Sequence, residues 1–194
     1  MANVAIKLVH SPNDPVLLRF PDLFEAKQYE GKGPFRYNAS FCLKPGGDND
    51  KRVQAGIREA AADAFGKKAD AKLQEFKGNK QQFCYLSGDT KDYPGYKGAL
   101  VLTAHRKQED RRPLVIDGNR NPVEAKDGVV YDGCYVNATL DIWAQVETNQ
   151  GIRCTLKGIQ KAADGEPFGG GRVSTPDDFD DLGAPEGEEA SDLV

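Results

Sequence analysis

Across residues 134–147 the chain alternates with a period of two. Val136, Ala138, Leu140, Ile142, Ala144 and Val146 fall on one side, and Tyr135, Asn137, Thr139, Asp141, Trp143 and Gln145 on the other. That period belongs to a strand with one buried face; a helix repeats every 3.6 residues and cannot present it. ThrAsnGlnGly then leads into GlyIleArgCysThrLeuLysGlyIleGln, where Arg153 and Lys157 share a face, so the two runs predict an antiparallel hairpin. A second alternating stretch covers residues 34–44. Its spacing predicts Phe35, Tyr37, Ala39, Phe41 and Leu43 as a core face, with Arg36, Asn38, Ser40 and Lys44 turned outward.

Between these strands the period changes. GlyGlyAspAsnAsp supplies helix N-cap candidates, and Val53, Ile57, Ala60, Ala61 and Ala64 recur at helical spacing, predicting a helix over 50–65 that Gly66 ends. Ala69, Leu73 and Phe76 add a short helical stripe closed by Gly78. Beyond it, GlnPheCysTyrLeu, AlaLeuValLeuThrAlaHisArg and ArgProLeuValIleAsp read as short strands. The stretch 87–98 reads as a Gly, Asp and Pro loop. Short strands divided by turns, with one helical insertion and no internal repeat, predict a mainly β chain closed into a small barrel.

The charge is split along the chain. No Lys or Arg follows Arg172, yet 8 of the 30 acidic residues do, so residues 1–173 hold 22 acids under all 26 cations, a balance of +4 against −8 in the tail. The tail's Gly, Pro and acid content cannot offset the entropy of ordering it. The expected division is therefore a barrel domain over 1–172 and a disordered acidic tail over 173–194. A cationic body tethered to an acidic tail with an embedded aromatic is the pattern of a tail that competes with a polyanion for one surface.

Several classes are set aside on the same grounds. No run approaches the roughly 20 apolar residues of a membrane span, and the N-terminus lacks a signal peptide's layout, so a cytoplasmic location is expected. Cys42, Cys84, Cys134 and Cys154 stand far apart beside apolar runs and predict buried, reduced thiols. His10 and His105 are not at zinc-ligand spacing from them, and no metal or other cofactor is expected. The acids Asp89, Asp92, Glu109 and Asp110 sit in loops beside cations, where ion pairing explains them better than Mg²⁺ binding. GxSxG, HExxH and a phosphate loop ending in GK[ST] are all missing, so no enzymatic activity is expected.

Aromatics interleaved with cations point instead to single-stranded nucleic acid, because rings stack any base while Lys and Arg track phosphates. The first candidate set is Lys91, Tyr93, Tyr96 and Lys97 in the 87–98 loop, where the alternative is a tyrosine folded back over the barrel. The second is Tyr135 and Trp143 with Arg153 and Lys157, set against the repulsive Asp141 on the same face. Arg36 and Lys44 are the third. The fourth is Arg106, Lys107, Arg111 and Arg112, within a stretch 105–112 that reads as an inter-strand loop.

PheArgTyrAsnAlaSerPhe, GlyAspThrLysAspTyrProGlyTyrLysGly, TyrAspGlyCysTyrValAsnAla, the GlyIleArgCysThrLeuLysGlyIleGln strand and AspAspPheAspAspLeuGly, in this order, resemble the phage-encoded single-stranded DNA-binding proteins. The resemblance implies an OB-fold, a five-stranded Greek-key barrel with a helix at one end. It also implies sequence-tolerant coating of single strands in replication, recombination or repair. The tail residues Asp177, Asp178, Phe179, Asp180, Asp181 and Leu182 would then recruit a polymerase or helicase. Many such tails finish on an aromatic, whereas Phe179 is internal and this chain closes on AspLeuVal. Weaker duplex binding and a homodimer are compatible with this reading. The alternatives are a strand-annealing recombination mediator and, further off, a metal-dependent nuclease.

Overall fold

A computed structural model of the chain describes residues 3–29 and 31–168. Its strands are β1 (Val4–Leu8), β2 (Val16–Tyr29), β3 (Lys32–Leu43), β4 (Tyr85–Ser87), β5 (Leu100–Lys107), β6 (Leu114–Ile116), β7 (Tyr135–Gln145) and β8 (Gly151–Ala163). Its helices are α1 (Asp48–Phe65) and α2 (Ala69–Phe76). Five strands close a ring. β2 pairs β3, β3 pairs β5, β5 pairs β8, β8 pairs β7, and β7 returns to β2 at Tyr135 opposite Leu17. Every pairing in the ring is antiparallel except β5 with β8, which run parallel at His105 and Thr155. This is the five-stranded Greek-key closure of an OB barrel. β1, β4 and β6 are short additions on β7, β5 and β8.

The inward rows fill the barrel: Leu18, Phe41, Leu102, Leu140, Ile142, Ile152 and Leu156 are fully buried. Each contributes roughly 1.5–3 kcal/mol through burial. The alternation of residues 135–145 is observed almost without exception, Val136, Ala138, Leu140, Ile142 and Ala144 being buried. α1 lays Val53, Ile57, Ala60 and Ala61 against β1 and β7. Gly56 permits this approach, because a Cβ there would stand 3.1 Å from Ile6 and 3.2 Å from Ile142. Asn49, buried at the start of α1, bonds Val9 N–H and C=O and the Asp14 carboxylate, tying the helix to the turn between β1 and β2.

Two expectations change. Phe35 is 48% exposed rather than core. β2 and β3 run past the ring at this end, so no opposite wall covers it. Residues 105–107 finish β5 rather than opening a loop, and the loop proper begins at Gln108. The long β2 escaped a pattern reading because register shifts between Arg19 and Asp22, together with Phe20 at φ 50°, break its alternation around Pro21. All four cysteines are free thiols, three of them buried, and burial pushes Cys42 and Cys84 up to about 12. Among the described residues no helix is long and apolar enough to cross a membrane.

Candidate nucleic-acid interface

The outward face of the barrel follows from the register. Directly paired residues point to the same side of a sheet, so Arg36 stands beside Lys107, Asn38 beside His105, Ser40 beside Thr103, and Arg19 beside Ser40. The row continues from His105 to Thr155 on β8 and on to Asp141 on β7, with Arg153 beside Trp143. Contacts agree with this placement: the Ser40 and Thr103 hydroxyls lie 3.4 Å apart, and Trp143 Nε1 donates to Thr155 Oγ1 at 3.0 Å. The hydrogen bond fixes the half-buried indole against the sheet.

At the centre of this face lies positive charge with no carboxylate among its bonded partners in the described residues. Arg36 is half-buried, and its Nε is buried without a hydrogen-bond partner among those residues. Arg153 donates from Nη2 to the backbone of Asn149, at 2.9 Å. Between them the His105 imidazole is driven down to about 4, first by burial and then by the Arg36 and Arg153 guanidiniums. Arg153 itself is lowered, by burial first, with Arg36 adding to it. Asp141, expected to repel phosphate, is held by Lys157 at 3.1 Å. A group that supplied negative charge and acceptor oxygens here would relieve both the repulsion and the unmet donor.

Beside this centre stands a shelf of rings. Phe20, at the kink of β2, and Tyr93 are 43% and 44% exposed, with centroids 5.1 Å apart in an edge-to-face contact. Tyr96 packs beneath them, 5.3 Å from Tyr93, and is only 5% exposed against Leu17, Cys42 and Val101. Arg19 is the post under the shelf. Its Nε donates to Asp132 at 2.6 Å, and its guanidinium lies 4.6 Å from the Phe20 ring and 4.3 Å from Phe168. The loop that carries the tyrosines is tied rather than loose: Gly98 N–H donates to Asp89, Thr90 Oγ1 to Ser87 C=O, and Tyr96 N–H to Tyr93 C=O. Phe20 holds a left-handed φ that costs about 1–2 kcal/mol in a non-glycine residue. Such strain tends to collect at functional sites.

The residues singled out from sequence therefore divide. Arg36, Lys107, Trp143, Arg153 and Lys157 come together on the face, and Lys91, Tyr93 and Lys97 stand on the adjoining loop, with Lys91 5.6 Å from the Tyr93 ring. Tyr96 folds back into the barrel wall. Arg106 points to the other side of β5 and staples the 108–111 turn through the carbonyls of Asp110 and Arg111. Lys44 bonds Asn13 C=O, Arg112 lies over Phe24, and Tyr135 stacks on His10 at 4.7 Å. Arg111 is exposed in its turn. The tail positions 177–182 lie outside the described residues. Sequence reasoning missed Phe20, Arg19 and His105. The adjacent Arg19 and Phe20 carry the same cation-and-ring signal as the residues that were found, and His105 sits at an outward position of a recognisable strand.

The comparisons with known proteins agree with this architecture. A family model described as Enterobacter phage Enc34, ssDNA-binding protein, matches residues 9–194. Putative protein p50 of Acyrthosiphon pisum secondary endosymbiont phage 1 is 41% identical over 176 residues, which cover 90% of this chain and 94% of that one. Among solved structures, the single-stranded DNA-binding protein from bacteriophage Enc34 in complex with ssDNA superposes with a TM-score of 0.64 at 24% identity, covering 85% of this chain and 89% of that one. A further solved structure of the single-stranded DNA-binding protein from bacteriophage Enc34 gives 0.60 at 26% identity, over 91% and 90%. Gp2.5, a single-stranded DNA-binding protein encoded by bacteriophage T7, gives 0.52 at 14% identity, over 98% and 100%. A barrel with this closure, and a family model that spans nearly its whole length, establish that the chain belongs to the phage Enc34 ssDNA-binding protein family.

Proposed function

We propose that this protein binds single-stranded DNA across the outer face of β3, β5 and β8, coating it with little sequence preference during phage DNA replication, recombination or repair. The observation that carries the reading is the Arg36, His105 and Arg153 cluster, positive charge without a bonded carboxylate among the described residues, set beside the exposed rings of Phe20 and Tyr93. The face of the second and third ring strands, with the loops beside it, is where OB barrels take oligonucleotides. The Enc34 protein, a family member of the same architecture, has been solved in complex with ssDNA.

Phosphates pass along Arg36, Arg153, Lys107 and the loop lysines Lys91 and Lys97, releasing their counterions. Bases stack on Tyr93, Phe20 and the outward edge of Trp143, each stack worth roughly 1–3 kcal/mol whatever the base. Duplex binds more weakly, because its bases are not free to stack. Residues 1–172 form the binding domain and 173–194 a tail whose carboxylates compete with DNA for the face. The tail also recruits replication proteins through residues 177–182.

Fluorescence anisotropy with oligo-thymidine at two salt concentrations tests this. Affinity should fall with salt, and the Arg36→Ala, Arg153→Ala double variant should flatten the log–log slope by about 1.4, at roughly 0.7 per lost single-strand phosphate contact. No retention of oligo-thymidine in dilute buffer removes the reading. Equal losses from Lys44→Ala, a cation outside the face, would move the site elsewhere.

A further inference from the structure

Beside the proposed DNA face, between α1, α2 and β4, the surface opens into a groove of about 770 Å³. Its apolar walls come from Ile57, Leu73, Phe83, Leu86 and Leu100. Its remaining lining includes Arg58, Lys77, Lys80 and Lys91, and none of the residues that line it is acidic. An apolar trough with a cationic rim fits a short acidic segment carrying two apolar anchors.

The chain contains such a segment. In 177–182 four aspartates surround Phe179 and Leu182, which are three residues apart. We propose that residues 177–182 of the same chain dock in this groove, with Phe179 and Leu182 on its apolar floor and the aspartates against Lys77, Lys80 and Lys91.

The place where the described chain ends supports this occupant. Phe168 lies over Arg19, and its ring is 3.8 Å from where a Cβ on Gly95 would stand. Gly95 is four residues from Lys91, so the groove's rim is within about 14 Å of it along the chain. From Phe168 to Asp177 the backbone spans up to about 30 Å when extended, which covers that gap with chain to spare. Seated there, the segment leaves residues 183–194, with Glu186, Glu188, Glu189 and Asp192, a flexible reach of about 20 Å. Lys91 lines the groove and also lies against Tyr93 on the shelf. The anchored tail therefore delivers its distal carboxylates to the DNA face. The inference extends the tail's proposed role and does not depend on DNA binding.

Zero-length carbodiimide crosslinking of the full-length protein in dilute solution tests it. No Lys or Arg follows Arg172, so trypsin releases the tail as one peptide whose fragmentation identifies the linked carboxylate. Links should run from Asp177, Asp178, Asp180 or Asp181 to Lys77 and Lys80. They should fall roughly tenfold in Phe179→Ser, which removes the aromatic anchor without touching the barrel. They should persist under saturating oligo-thymidine.

Absence of links to Lys77 and Lys80 overturns the proposal. So does transfer of the links to Lys97, Lys107 or Lys157, their loss on adding DNA, or their survival in Phe179→Ser. Mixed-isotope links between ¹⁴N and ¹⁵N chains would place a second copy's tail in the groove and overturn the same-chain assignment. Failure of oligo-thymidine to bind would sink the DNA reading while leaving the crosslink pattern to stand.

Discussion

His105 sits at an outward position of β5 between two guanidiniums, and its proton carries a testable sign. Folding lowers its pKa from an ordinary 6.5 to about 4, so between those values the unfolded chain binds more protons than the folded one. Stability from this group is therefore complete above about pH 6.5 and falls as the pH drops toward 4, by about 3 kcal/mol at most. His10 is also lowered by burial and adds to the same slope, so the difference between the wild-type and His105→Gln melting curves isolates His105. DNA bound at the proposed site should reverse the sense. A phosphate between Arg36 and Arg153 would raise the imidazole, and binding would then take up a proton. Affinity for oligo-thymidine should increase from pH 7 to pH 5 in the wild type beyond any increase in His105→Gln. Parallel pH profiles for the two proteins would show that no phosphate approaches this group.

At the scale of elements, much of the barrel was legible because its signals are local. The hairpin of β7 and β8, the outward Arg36 on β3, and the helix closed by Gly66 at φ 53° each follow from a period or a turn residue. β2 was not legible. Its bulges and the left-handed Phe20 erase the alternation, and the same irregularity pushes Phe20 out to meet Tyr93. The stretch 87–98 was legible as a loop, but which tyrosine faced out was fixed by tertiary packing: Tyr96 fills the space over Cys42 and Val101, leaving Tyr93 exposed.

The loop's seat gives the element-scale prediction. Gly88 passes so close to Tyr96 that a Cβ would overlap the Tyr96 carbonyl oxygen. Gly88→Ala should displace the loop at a cost of about 1–3 kcal/mol in stability. By shifting Tyr93 away from Phe20 it should also weaken oligo-thymidine binding about tenfold, within the range of one lost stack. Thermal melting and anisotropy on the same preparation check both. A destabilised variant with intact affinity would separate the shelf from DNA binding.

At the scale of the whole molecule, the opposition between a body at +4 and a tail at −8 makes affinity a function of ionic strength twice over. DNA and the tail are both screened by salt, but the tail is tethered, at an effective concentration on the order of millimolar. A random coil of the tail's length would span about 25 Å, beyond the roughly 8 Å Debye length at physiological salt and inside the roughly 30 Å length at 0.01 M. On the proposed self-competition, the tail's effect should be strongest where DNA binding is also strongest, which would flatten the apparent salt dependence of the intact chain. Replacing the eight tail carboxylates with their amides should tighten oligo-thymidine binding about tenfold at 0.01 M salt, steepen the log–log slope, and leave the two proteins alike at high salt. Anisotropy titrations across that range decide it. Superimposable curves would remove self-competition and leave the barrel face as an unregulated DNA site.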